Sequence, residues 1–203
     1  MNLDTTQLLA IAAGLGWASG LRLYAVVFLT GMAGYLGWVD LPAGLKLLQS
    51  PVMLGASGLM LFVEFFADKI PGVDSVWDLI HTVVRVPAGA ALAASVFGAD
   101  QASWAMAAAL MGGTLAATSH VAKATTRAAV NTSPEPFSNI AMSLLGDSVV
   151  PVGLWLSWEH PTVFFVALGV ALVVMIAAIW VFAKFLRAIV ARVSGRSAVV
   201  DVS

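Results

Sequence analysis

The chain is predicted to be an all-α, polytopic membrane helix bundle of about six transmembrane helices. Three observations predict this class. The 203 residues are 60% hydrophobic and 10% charged, against roughly a quarter charged in a soluble domain. Mean hydropathy is +0.94. The few charges also gather in one stretch, Glu64 to Arg85, between long apolar runs. A bilayer crossing needs about 20 apolar residues, so residues 1–203 form a single integral membrane domain with no room for a second soluble one.

The elements follow in order. The first apolar run extends from Leu8 to Trp38 and is broken by SGLRLY at Ser19–Tyr24. At about 1.5 Å per residue an unbroken helix of that length overshoots a hydrocarbon core of roughly 30 Å. A tilted or interrupted helix is expected, with Gly14, Gly16 and Gly20 permitting close neighbours. After a loop at Val39–Gln49, Ser50-Pro51 reads as an N-cap with proline at the first helical position, opening a second helix to about Lys69. Pro71-Gly72 marks a turn. A third helix runs from about Val76 to Phe97, a fourth from Ala102 to about Arg127, a fifth from Phe137 to Trp158 and a sixth from Thr162 to about Arg192, leaving 193–203 as a tail. Residues 51–98 and 102–158 share a pattern of Lys-containing turn, aromatic, polar helical face and Val-Pro-x-Gly (Val86–Gly89 and Val150–Gly153). This pattern suggests a parallel repeat of two helix hairpins, an arrangement some transporters use.

Lys184, Arg187, Arg192 and Arg196 follow the last span, which places both termini in the cytoplasm by the positive-inside rule. The start MNLDTTQ lacks the basic region of a cleaved signal. There is no basic surface for nucleic acid. The absence of cysteine rules out disulfides, thiolate metal sites and cysteine nucleophiles. Most of the seven tryptophans fall near span ends, as interface anchors do.

The polar stripes carry the functional signal. Asp74, Asp78, His81 and Arg85 are spaced i, i+4, i+7, i+11, one face of a helix. Asn139, Ser143 and Asp147 form a matching face on the fifth helix, and His120, Lys123 and Arg127 one on the fourth. Arg85 lies about 12 Å and Asp147 about 15 Å along its helix from the nearer turn. The same argument applies to Arg22 and Glu64. An unpaired charge at that depth costs at least about 2.5–3.5 kcal/mol, so two ion pairs are expected: Arg85 with Asp147, and Arg22 with Glu64. Asp68 and Lys69 are read as interfacial loop charges.

The candidate substrate, ion or relay residues are Arg22, Glu64, Asp78, His81, Arg85, His120, Lys123, Asn139 and Asp147. Their mixed signs fit a small transporter or channel-like protein for an anionic solute or a phosphate-bearing lipid headgroup, with Glu64, His81 and Asp147 available for proton coupling. A competing class is a membrane scaffold or assembly factor whose buried charges only hold helices together. A third is an intramembrane metal-dependent lipid enzyme with Asp74, Asp78 and His81 as ligands. No Walker A, HExxH, GxSxG or GxGxxG motif is present, so the chain is not expected to be an enzyme and no cofactor is expected. The partners expected are membrane lipid, a small anion and a second copy in a homodimer.

GLRLY at Gly20–Tyr24, the E-x-x-x-D-K-I-P-x-x-D-x-x-W-D run from Glu64 to Asp78 and the Arg85–Gly89 element resemble the bacterial membrane family called domain of unknown function 4126. The resemblance covers nearly the whole chain and implies a multi-pass protein of the bacterial inner membrane. It implies no activity.

Overall fold

Six long helices follow one another in the expected order. The computed structural model describes residues 3–70, 72–131 and 137–200. The helices are α1 (Thr5–Tyr35), α2 (Pro51–Ala67), α3 (Val73–Ala94), α4 (Ala102–Val130), α5 (Phe137–Glu159) and α6 (Pro161–Val200), with short 3₁₀ turns at Ala43–Gln49 and Ala99–Gln101. Asp4 starts α1 with a capping box to Gln7, satisfying two otherwise orphaned N–H groups. Ser50 caps α2 through Met53 N, with Pro51 in the first turn. The last helix continues to Val200, through the stretch expected as a tail. No proline follows Arg192 to stop it.

α1 is the central helix. It packs against α2, α3, α4, α5 and α6, and Ala10 to Gly20 are buried without interruption. A helix apolar on every side belongs inside a bundle. Three helices approach one another through small residues spaced four apart: Gly16 and Gly20 on α1, Gly89 and Ala93 on α3, and Gly112 and Ala116 on α4. A Cβ on Gly16 would collide with Gly112 Cα, one on Gly20 with the Ala116 carbonyl, and one on Gly112 with Ala93. Close backbone approach of this kind replaces the hydrophobic drive that lipid cannot supply.

Spans Thr5–Tyr35, Ala102–Val130, Ile140–Glu159 and Pro161–Ala188 are long and apolar enough to cross a membrane, and the first 3₁₀ turn with α2, bent by 69°, makes a fifth if taken as one span. The chain is therefore an integral membrane protein. α3 misses the apolarity test because of its charged stripe. That stripe is buried, whereas Val76, Leu79, Ile80 and Val83 on its other side are exposed. This distribution is polar inward and apolar outward, as expected of a helix facing lipid around a polar interior.

α1 breaks where the sequence places its polar interruption. Arg22 has φ −149° and ψ 85°, extended rather than helical. The break releases backbone carbonyls from the helical ladder, and such groups persist at membrane depth only where protein or a cavity satisfies them. Lys123 Nζ donates to the Leu21 carbonyl at 3.0 Å and Ser119 Oγ to the Trp17 carbonyl at 2.7 Å. The first apolar run is thus two helical segments joined at Arg22.

Candidate functional site

Five helices bring their polar stripes to the break in α1. The end of α2 supplies Glu64, Asp68 and Lys69, and α3 supplies Asp74, Asp78, His81 and Arg85. His120, Lys123 and Arg127 come from α4, Ser143 and Asp147 from α5, and Arg22 from α1 itself. Ten of the protein's 21 acidic and basic residues join in one continuous ion-pair network of five cations and five carboxylates. Its formal charge is zero. That balance makes it tolerable in a low-dielectric interior, where a lone charge would not be.

The network has two lobes. In the first, Arg85 is fully buried between Glu64, 2.9 Å from Nη2, and Asp78, 2.7 Å from Nη1. In the second, Asp68 takes three cations on one oxygen: Arg22 at 3.0 Å, Lys123 at 3.0 Å and Arg127 at 3.1 Å. Asp147 pairs with Arg22 at 3.0 Å and with Lys69 at 3.1 Å, at the more exposed edge. Lys123 at 3.2 Å and Arg127 at 3.7 Å reach Asp78 and join the lobes. Arg127 also meets Asp74 at 3.3 Å, whose carboxylate accepts from Asn131 Nδ2, Gly72 N and Ser75 N.

Two histidines are held by neighbours at both ring nitrogens. His81 Nδ1 lies 2.8 Å from the Trp77 carbonyl and so carries a proton, and Nε2 shares a hydrogen bond with Tyr24 Oη at 3.1 Å. His120 Nδ1 lies 3.2 Å from Arg85 Nη1, a donor only, so Nδ1 accepts and Nε2–H donates to Thr82 Oγ1 at 2.7 Å. Thr82 in turn donates to the Asp78 carbonyl.

The two expected ion pairs exchange partners. Arg85 meets Glu64 rather than Asp147, and Arg22 meets Asp147 and Asp68 rather than Glu64. Depth along each helix was matched, but lateral position decided the pairing. α1 packs against α5, which brings Arg22 to Asp147, and the Glu64 side of α2 faces Arg85. Asp68 is a second correction: it is no loop charge but a fully buried centre of the cluster. The i+4 spacing from Glu64 to Asp68 carries that signal, because it puts both on one face. Arg127 and Asn131 continue the α4 stripe by the same rule. Lys69, Tyr24, Thr82 and Ser143 complete the set. The side chain of Asn139 lies outside the described residues.

Asp74, Asp78 and His81 are directed to Arg127, Arg85, Lys123, Tyr24 and backbone groups. Among the described residues no three of His, Asp and Glu are placed to hold a metal ion. The contacts these groups make are ion pairs and hydrogen bonds.

Beside the second lobe is a cavity of about 330 Å³ between α1, α4, α5 and α6. Its walls are mainly apolar, including Trp17, Leu145, Val149, Val174 and Met175. Its charged lining residues are Arg22, Lys123 and Arg127, all cationic. Arg22 is held unevenly. Its Nη2 is within 3.1 Å of Ser143 O and Oγ, Asp68 and Asp147, yet its buried Nε and Nη1 have no hydrogen-bond partner among the described residues.

A bundle of apolar helices around a buried, charge-balanced network defines a polytopic membrane protein with an internal polar site. A family model described as Domain of unknown function (DUF4126) matches residues 9–182, and the chain belongs to that family. The match spans the whole network. No curated protein and no solved structure matches the chain.

Proposed function

We propose that this protein is a small transporter or channel-like protein of the bacterial inner membrane that passes an anionic solute or a phosphate-bearing lipid headgroup. The observation that carries this reading is the cationic cavity wall at the break in α1, where two nitrogens of Arg22 have no hydrogen-bond partner among the described residues. Discontinuous helices at mid-membrane sites are a device of transporters, and a buried guanidinium with unpartnered N–H groups favours an anion that can accept them. In this reading the C-terminus is cytoplasmic, α2–α3 and α4–α5 are its two hairpins and the protein works as a homodimer. An entering anion competes with Asp68 and Asp147 for Arg22, Lys123 and Arg127. Protonation of a displaced carboxylate then couples movement to protons.

A second reading has one observation in its favour. Every charge in the network already has an opposite partner, as a scaffold's structural glue would. The two are separated by thermal stability of the purified protein in neutral detergent, wild type beside Asp147→Asn, with phosphate, sulfate and anionic phospholipid. Transport predicts stabilisation by one of these anions and a variant that folds and, with one competing carboxylate removed, shows an equal or larger shift. If no anion stabilises the protein and the variant merely unfolds earlier, the scaffold reading replaces it.

A further inference from the structure

The cavity wall carries information about the ligand's other end. We infer that the site takes an anionic amphiphile, a phosphate monoester with an alkyl or similarly apolar chain, with its head on Arg22, Lys123 and Arg127 and its chain along the α5–α6 wall. The inference rests on the anion reading above and narrows it. A site built for a small hydrated anion would surround it with polar groups. Here the cations occupy one side and the remaining lining includes Leu145, Val149, Ala171, Val174, Met175 and Ala178. Leu145 and Val174 are also exposed at the surface, so the apolar part opens sideways between α5 and α6, where lipid lies. The volume falls in the range of roughly 300–1,000 Å³ typical of small-molecule sites.

The head end is oriented by Arg22. A Cβ placed on Gly146 would stand 3.5 Å from Arg22 Nε, so the unpartnered Nε faces the stretch of α5 that lines the cavity. Arg22 is 1% exposed, which strengthens its interaction with any anion that reaches it. Asp68 and Asp78 hold the cations from behind, and no carboxylate lines the cavity.

The test is calorimetric titration in neutral maltoside detergent with hexyl phosphate, methyl phosphate and hexanol, on wild type and Ala178→Phe. Ala178 lines the chain region, and Met175→Trp is the second blocking variant. Each methylene moved from water to an apolar wall strengthens binding about fourfold. Hexyl phosphate is therefore expected to bind at least about tenfold more tightly than methyl phosphate, with hexanol weaker than both. The blocking variants, at wild-type melting temperature, lose the hexyl advantage and keep the methyl phosphate affinity. Equal binding of the two phosphates overturns the amphiphile inference and leaves the anion reading standing. A hexyl advantage that survives both blocking variants places the chain elsewhere and also overturns it. Equal binding of hexanol and hexyl phosphate, or no binding of any probe, defeats both readings.

Discussion

Replacing Asp68 by Asn tests the charge balance of the network directly. The carboxylate is fully buried and stands 3.0–3.1 Å from Arg22, Lys123 and Arg127. At an effective dielectric of about 20 each contact is worth roughly 5 kcal/mol before desolvation, and desolvation cancels most of that sum. What survives in Asp68→Asn is a network of five cations and four carboxylates. Removing one partner of a buried pair costs about 3–5 kcal/mol, a large share of a total stability of about 5–15 kcal/mol. Unfolding is measured in mixed detergent and dodecyl sulfate micelles. Two double variants sharpen the result. Asp68→Asn with Lys123→Met removes a cation that touched Asp68 and should recover at least half of the loss. Asp68→Asn with Lys69→Met restores the same formal charge, but Lys69 pairs with Asp147 instead, so it should recover less. A loss under about 1 kcal/mol for the single variant, or equal recovery by the two doubles, would refute the idea that local pairing stabilises this interior.

Other predictions follow from the same contacts. Gly16→Leu places side-chain atoms against the Gly112 backbone, and because backbone cannot rotate away it should cost at least about 3 kcal/mol, read as loss of folded protein on size exclusion, whereas Gly55→Leu, facing open space, should be tolerated. Tyr24→Phe removes the hydroxyl bonded to His81 Nε2 and should cost about 1–3 kcal/mol in the same unfolding assay, with no added loss in a His81→Phe background. The chain has no cysteine, so single cysteines report orientation cleanly. In cells, Lys46→Cys should react with an impermeant maleimide and Arg187→Cys should not; the reverse pattern would invert the proposed topology.

Much of the fold was legible because membrane helices obey local rules. Length, apolarity and caps such as Asp4 and Ser50 place the helices to within a few residues, apart from the C-terminal end of α6, since each satisfies its own backbone before any neighbour is present. The stripes on α3, α4 and α5 were legible for the same reason: helical spacing alone puts Asp74, Asp78, His81 and Arg85 on one face. The break at Arg22 was visible as a polar interruption in an overlong apolar run, but whether it was a tilt or a break was not.

Tertiary structure decided the partners. Helical periodicity says which residues share a face and how deep they lie, but not which helix that face meets. Arg85 and Asp147 are well matched in depth, yet α1 is the helix packed against α5, and Arg22 takes Asp147 while Glu64 takes Arg85. The same packing makes Asp68, one residue beyond the end of α2, the shared anion of three helices. Close approach at Gly16, Gly89 and Gly112 sets that arrangement, because in lipid shape, not hydrophobicity, selects which helices touch. The sequence by itself determined the helices and their polar faces; the pairing of charges and the cationic cavity beside them exist only once those faces are assembled.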